Sequence, residues 1–590
     1  MTNFVAACAE VEAWLASLGP SIERLSPETL SKLYPSRGCA AGWRLQVAFS
    51  DRTRRLDLLL PIGFPWQPPR VALVDAPKFL TWPHVEKDNV LCLVPNSFEI
   101  DPDKPAAIVS HLLGLAETAV NELISGERDG DFADEFLSYW YWAKTEGTQV
   151  ISLLRSEGPS REIALWRGKD FYLLGENVED LRNWLSNRHG NKPERVEAEK
   201  AVFAWLGKAP KPSEYPDTGT GLRGFVAKRD PAASLLIDRL AAEGSEKAVV
   251  VLGFDTSNGP ALAGVFVPPP AKSKYGARDP MSKGFRPGHV PDNIRLTRFF
   301  GGQPLVRRPV ERADAGWIHG RGQDPRAKQL RDLRVVLLGC GSLGAPIANS
   351  LAQAGIGHQI FIDDDWMKWA NVGRHPLGGG YVDQNKAIAL AAKLRKDFPH
   401  STYESFAIDA DTFVREHSDV LTKADLIIAA TGSWAADRRI EAWVNGSDRK
   451  VPVLYTWMEA HATAGHALLL NGLGAKLTDG FDGTGLPRFN VSQWPEGNQT
   501  RQEPACGAVY QPYGPVELGF VCNLASELAL DALLGRELRP TYRLWIGNGR
   551  RLRELGGSWT SAWRADPQFR EAGAFVADRN WSEAAKEQAA

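Results

Sequence analysis

The chain has 590 residues, 43% of them hydrophobic and 24% charged, enough for several hydrophobic cores and, on length alone, roughly three to four domains. Its 69 Lys and Arg nearly balance 71 Asp and Glu, a net charge of −2 that leaves no footprint for nucleic acid. Six cysteines at scattered spacings fit free thiols in a reducing cytoplasm, MTNFVAACAE lacks a basic signal-peptide region, and no uninterrupted apolar run reaches membrane-spanning length.

At the N-terminus, Phe4 to Leu18 has helical apolar spacing, followed by short strands over Trp43–Phe49, Leu56–Leu60 and Val71–Val74. FPWQPP (Phe64 to Pro69) precedes the third strand and WPHVEKDNVLCL (Trp82 to Leu93) follows it, with helices through about Trp142. In that order these segments resemble the ubiquitin-conjugating fold, whose equivalents are Y-P-x-x-P-P and H-P-N-x4-G-x-x-C-L. The resemblance implies that Cys92 is the thioester-bearing nucleophile. Counting back from it puts Asn89 on the family's Gly and His84 on its catalytic Asn. Asn tolerates the left-handed conformation that Gly serves. A His at 84 either donates a hydrogen bond to the oxyanion formed during amine attack or braces the loop.

From about Val150 to Arg312, strand-like and helix-like runs (IALWRG, FYLLG, AVVVLGFD) are broken at Ala209–Gly221 and at Pro268–Asp292. The second break, rich in Pro, Gly and basic residues, should resist regular structure and serves either as a solvated connector or as a contact for an acidic substrate end. No motif here signals catalysis, so the region reads as a docking domain. WIHGRG (Trp317 to Gly322) follows, just before the next strand.

VVLLGCGSLG then reads as a buried parallel strand turning into a helix (Ala345 to Ala354), with Gly339, Gly341 and Gly344 fitting G-x-G-x-x-G. Such a turn brings backbone N–H groups close to phosphate. The next strand ends at Asp363, 19 residues after Gly344, where a ribose-binding carboxylate belongs. Asp364, Asp365, Asn371, Arg374 and Lys386 follow; the paired cations suit a triphosphate and a departing pyrophosphate better than a dinucleotide.

The pattern D-x-D-x5-N-x2-R with a later Lys resembles the ThiF/MoeB and ubiquitin-activating enzyme fold. That resemblance implies ATP as substrate with Mg²⁺, Asp363 on the ribose, Asn371, Arg374 and Lys386 on the phosphates, and the glycine turn on the adenine side. The family's magnesium-binding Asp after the fourth strand is replaced here by Gly432; Asp365 with the phosphates is one substitute, and the metal ligand stays unassigned. In dimeric relatives an N-terminal Arg reaches the partner's phosphates; Arg321 stands where it would do so in a homodimer, or acts as a structural cap.

PACGAVYQPYGPVELGFVCNLASELALDALLG places Cys506 just before a long apolar-periodic helix. By the same resemblance Cys506 is the thiol that takes the acyl group from the adenylate. Cys522 is the runner-up, but it falls inside the helical pattern, which favours burial; Cys340, in the glycine turn, reads as packing. No C-x-x-C occurs, which weighs against the zinc-bearing sulfur-transfer branch.

An activating and a conjugating domain on one chain resemble the bacterial fusions of the CBASS antiphage systems, the CD-NTase-associated proteins. The fold class expected is multi-domain α/β and α+β: a ubiquitin-conjugating-like α+β domain over 1–149, an α/β linker or docking domain over 150–312, and a Rossmann-like ThiF/MoeB adenylation domain over 313–590. The family implies that the C-terminal carboxylate of a cGAS-like nucleotidyltransferase is adenylated, passed from Cys506 to Cys92 and joined to a target amine. The rivals are the same relay on a genuine ubiquitin-like modifier, a sulfur-carrier adenylyltransferase, and a non-catalytic scaffold.

Overall fold

A computed structural model describes residues 2–19, 22–94, 100–142, 147–190, 196–243, 248–268, 284–286, 289–301, 304–321, 324–472, 474–482, 488–495, 497, 499–502, 509–537 and 539–565. Most of the Pro268–Asp292 break and all of Glu503–Ala508, including Cys506, lie outside these residues. The chain divides into two compact units: Met1–Leu174 with Glu199–Glu311, and Gly175–Ala198 with Arg312–Ala590.

The first unit opens with a helix over Thr2–Ser17 and an antiparallel meander of β1 (Glu23–Arg24), β2 (Cys39–Ala48), β3 (Thr53–Pro61) and β4 (Arg70–Leu73), paired in that order. Alternate residues of β2 and β3, among them Trp43, Leu45, Leu56, Leu58 and Leu60, share a core with the Pro105–Ser125 helix. That helix is long and apolar enough to cross a membrane by length and composition, a length that a search for uninterrupted apolar runs misses because Ser110, His111, Glu117 and Asn121 interrupt it. Val109, Leu112, Ala116, Val120 and Leu123 recur every three or four residues and are buried against the sheet, where each large side chain contributes about 1.5–3 kcal/mol.

Beyond it, β5 (Gln149–Ser152), β6 (Arg161–Arg167), β7 (Phe171–Gly175), β8 (Ala198–Lys208), β9 (Ala248–Thr256), β10 (Gly259–Val267) and β11 (Val306–Arg312) close into a barrel in the order β10-β11-β5-β7-β6-β8-β9. The alternation within β9 and β10 was hidden because both faces are apolar. Val249, Val251 and Leu262 face one core with Phe203, while Val250, Leu252 and Ala263 face another formed by the helices Gly219–Arg229 and Pro231–Ala242. The Phe136–Trp142 helix packs on that second core: the Phe136 ring lies 4.8 Å from that of Phe254 and 5.7 Å from that of Tyr215.

The second unit is a seven-stranded sheet. β12 (Arg334–Leu338), β13 (His358–Ile362), β14 (Thr402–Phe406), β15 (Leu426–Ala429) and β16 (Val453–Met458) run parallel in the order β14-β13-β12-β15-β16; β17 (Ala464–Leu470) and the strand Thr541–Ile546 add antiparallel at the β16 edge. Strand order reverses direction at β12, so the crevice at its carboxyl end is where a nucleotide seats in such sheets. The Pro515–Leu533 helix buries Leu518, Val521, Ala525 and Ala529 beside the Gly344–Ala354 helix. The Val178–His189 helix also belongs here, with Asn187 Nδ2 donating to the Pro399 carbonyl at 2.9 Å.

Candidate functional site

Two groups of the predicted residues come together, one in each unit. In the first, the backbone sets the nucleophile. β4 receives the incoming chain through bonds from Leu73 N to Asn89 O (2.9 Å) and from Leu91 N to Val71 O (2.8 Å). Between them Glu86–Val90 makes a tight turn, closed by Glu86 N to Val90 O at 2.8 Å, with Asn89 at φ +66° as the substitution for glycine requires. Arg37 clamps this turn, donating to Asp88 at 2.7 Å and to Glu86 at 2.6 Å. Cys92 emerges exposed, its N–H bonded to the carbonyl of His84 at 2.8 Å.

His84 is itself left-handed, at φ +57°, and its ring meets the acidic residues of the helices that follow. Its Nε2 lies 2.7 Å from Asp131 Oδ2, its Nδ1 3.5 Å from Glu135 Oε2, and its N–H donates to Tyr139 Oη at 3.0 Å. Tyr139 Oη donates in turn to Glu135 at 3.1 Å. A hydrogen bond with the Cys92 side chain, then the two carboxylates, raise the imidazole above its ordinary pKa despite partial burial. Asp131, Glu135 and Tyr139 were not picked out from the sequence. Their i, i+4, i+8 spacing was the available signal, obscured by the surrounding aromatic run.

In the second unit Gly339, Gly341 and Gly344 form the expected turn. Gly339 is at φ +93°, and a Cβ there would stand 2.4 Å from the Ala430 carbonyl oxygen; one on Gly344 would meet the Gly339 oxygen at 1.9 Å. A Cβ on Gly341 would meet nothing within 4 Å, so this stretch of backbone faces open space suited to a nucleotide. Asp363, just past β13, accepts from Cys340 N at 2.6 Å and from Asp365 N at 2.8 Å, and burial raises its carboxyl above the usual range. Lys386 opens the Lys386–Asp397 helix and is ion-paired with Asp365. Burial would push Asp365 up, but the Lys386 ammonium, the Trp366 N–H and the Lys368 charge together more than offset it and the carboxyl is held low.

Asn371 and Arg374 share one short 3-10 turn, Trp369–Arg374, where Asn371 Oδ1 accepts from Lys368 N at 3.0 Å. His375, which sequence reasoning passed over, anchors this turn through Nε2 to the Cys340 carbonyl at 2.8 Å. The Arg374 guanidinium lies over the Tyr513 ring at 4.8 Å, and Tyr513 Oη meets Ser342 Oγ at 2.5 Å, so the segment entering the Pro515–Leu533 helix touches the glycine turn directly.

Cys340 and Cys522 are both buried; Cys522, pushed up to about 12 by burial, packs with Sγ 3.7 Å from the Leu343 carbonyl. Cys506 is outside the described residues. Arg321 is exposed and left-handed at φ +55°, its N–H on the Trp317 carbonyl at 2.9 Å. Gly432 is left-handed too, at φ +63°. Among the described residues no group of three or more His, Cys, Asp or Glu is arranged to hold a metal, so a Mg²⁺ cage built by protein alone does not fit here.

A model of the prokaryotic E2 family B matches residues 36–147, and the ThiF family model matches residues 319–483. The ATP-dependent ubiquitin transferase-like protein Cap2 of Pseudomonas aeruginosa is 24% identical over 420 residues, 68% of this chain and 71% of its own length. The Cap2 proteins of Escherichia coli (strain TW11681) and Vibrio cholerae serotype O1 are 26% and 29% identical, across 42% and 38% of this chain and 44% and 40% of theirs. Against these last two the match spans less than half of the relative. E. coli MccB solved with ATP is 15% identical over 40% of this chain and 65% of that one, with a TM-score of 0.28. With a prokaryotic E2 family B region ahead of a ThiF family region, the chain is Cap2-like, homologous to the proteins described as ATP-dependent ubiquitin transferase-like Cap2.

Proposed function

We propose that the chain activates the C-terminal carboxylate of a protein partner and relays it to an amine. The partner carboxylate attacks the α-phosphorus of ATP and pyrophosphate leaves. Cys506 displaces AMP to form a thioester, Cys92 exchanges with it, and an amine finally captures the acyl group as an amide or isopeptide. Asp363 orients the ribose, and Asn371, Arg374 and Lys386 hold the phosphates. Asp365 is a candidate carboxylate to hold a Mg²⁺ bound with the nucleotide, which would supply neutralisation of phosphate charge. Arg321 serves the nucleotide of a second copy in a homodimer, and the work is cytoplasmic. Division at 149/150 and 312/313 gives the conjugating, docking and adenylating parts.

The observation that carries this reading is the exposed Cys92, its N–H bonded to the His84 carbonyl at 2.8 Å, on the same chain as a glycine cradle whose nearby cations are Lys386 and Arg374. A sulfur-carrier activator has no use for the first; a scaffold has no use for either. Tethering two thiols on one chain also raises the effective concentration of the second acceptor. For the partner, the Cap2 likeness supports a ubiquitin-like transfer, and a cGAS-like nucleotidyltransferase is the carboxylate donor proposed.

The test is to incubate the protein with ATP, Mg²⁺ and either a cGAS-like nucleotidyltransferase or a ubiquitin-like protein and to resolve adducts on a non-reducing gel. The relay predicts that Cys92→Ala accumulates a thiol-sensitive adduct that Cys506→Ala abolishes. No adduct with either partner, or one indifferent to both substitutions, overturns it.

A further inference from the structure

The least expected feature of the first unit is where the partners of His84 come from. Asp131, Glu135 and Tyr139 lie on one side of a short helical stretch whose other side carries Ala133, Phe136 and Trp140, all buried in the barrel core. The rings of Phe136 and Trp140 pack on Tyr215, at 5.7 and 5.1 Å. Asp134 Oδ1 also accepts from Ser257 N at 3.2 Å, at the β9–β10 turn. The barrel therefore sets the height and rotation of the acidic face that His84 meets. A mere brace for the loop needs one hydrogen bond; this imidazole has a carboxylate at Nε2, a second near Nδ1, a phenol on its backbone and the Cys92 thiol beside it.

Resting on the relay reading above, in which Cys92 carries an acyl group, we propose that Asp131 is a positioning residue for aminolysis: it holds His84 as an oriented hydrogen-bond and proton donor at the Cys92 thioester, with Glu135 and Tyr139 fixing the ring and the barrel fixing all three. The amine nitrogen attacks the thioester carbonyl carbon and forms the C–N bond of a tetrahedral intermediate; its collapse re-forms the carbonyl, breaks the C–S bond and leaves the electron pair on Cys92 Sγ. His84 donates its proton to that sulfur and regains one from the nitrogen of the tetrahedral intermediate, so the ring ends as it began. The conjugating fold's Asn has no such proton to give. Where that residue has become His, the carboxylate supplies the orientation and the charge balance.

The groups facing His84 are Asp131, Glu135, Tyr139 and Cys92; Cys92, Asp131 and Glu135 outweigh burial and raise its pKa, so the donor form persists to higher pH than for a free imidazole and is lost as pH rises through the folded value. The test bypasses adenylation. A synthetic glycyl peptide thioester is exchanged onto the full chain, the Cys92 adduct is followed by peptide mass spectrometry, and its discharge to free lysine is measured across pH 6 to 9, normalised to unprotonated amine, in parallel with the ¹³C-histidine NMR titration of His84. Asp131→Asn is expected to load Cys92 normally, slow discharge about tenfold, move the high-pH fall of the normalised rate downward, and lower the NMR pKa of His84. Asp131→Glu restores part of each, and His84→Ala with Asp131→Asn loses no more than His84→Ala alone. Unchanged discharge and unchanged pH dependence in Asp131→Asn, or a double variant whose losses multiply, overturns the proposal while the relay stands. If Cys506→Ala still passes acyl groups from the ATP reaction to Cys92, the relay fails instead.

Discussion

The two sites are built by opposite means. In the second unit most of the chemistry-bearing residues lie in one stretch from Gly339 to Lys386, and backbone geometry does much of the work: glycines that admit no Cβ, a carboxylate capped by two backbone N–H groups, a helix that begins at its lysine. In the first unit the site joins residues 47 positions apart (84 and 131), and its parts are side chains held by other side chains. A local site fails when its backbone is altered. A composite one fails when a distant support is removed.

The sharpest way to break the comparison is Gly344→Ala, whose Cβ would stand 1.9 Å from a backbone oxygen. It should cost about 2–4 kcal/mol of stability in the second unit and reduce ATP–pyrophosphate exchange at least about a hundredfold, while acyl exchange from a synthetic thioester onto Cys92 is unaffected. Lys386→Ala is next. It leaves Asp365 without its buried partner and should lower pyrophosphate exchange about ten- to a hundredfold; wild-type exchange in this variant would show that the ion pair is structural only.

That contrast also explains what the sequence made legible. The Rossmann strands, the glycine turn and Asp363 were readable because spacing along one local segment maps onto contacts, and the left-handed Asn89 followed from its place on the family's glycine. The closed barrel was not readable. β9 and β10 bury both faces, so the period-2 signal disappears, and the helix Val178–His189 leaves the barrel sequence to join the second unit. Asp131, Glu135 and Tyr139 were hidden for the same reason that they matter: their partner is far away in sequence. Tyr513 on Ser342 and beneath Arg374 was likewise a tertiary fact with no local pattern.

Smaller effects sharpen the comparison. Arg37→Ala removes the clamp on the Glu86–Val90 turn and should slow thioester exchange at Cys92 about three- to tenfold, leaving pyrophosphate exchange unchanged. In the second unit, burial raises the Asp437 carboxyl to about 6, with Thr431 Oγ1 donating to it at 2.7 Å. Because the folded chain then holds this proton more tightly than the unfolded chain, stability falls as pH rises from about 4 to about 6, by about 1–3 kcal/mol. Asp437→Asn should remove that slope and raise the melting temperature at pH 7; a melting temperature equal to or below that of the parent protein would mean that the carboxylate is accommodated as charged.

Rapid-quench mass spectrometry of the full chain with ATP, Mg²⁺ and the carboxylate partner, quantifying acyl adducts on the Cys506 and Cys92 peptides over time, tests the central claim most directly. The account predicts that the Cys506 adduct rises first, that the Cys92 adduct follows with a lag and is absent in Cys506→Ala, and that added amine drains the Cys92 adduct first. Acylation of Cys92 without a lag, or at the parental rate in Cys506→Ala, would contradict it.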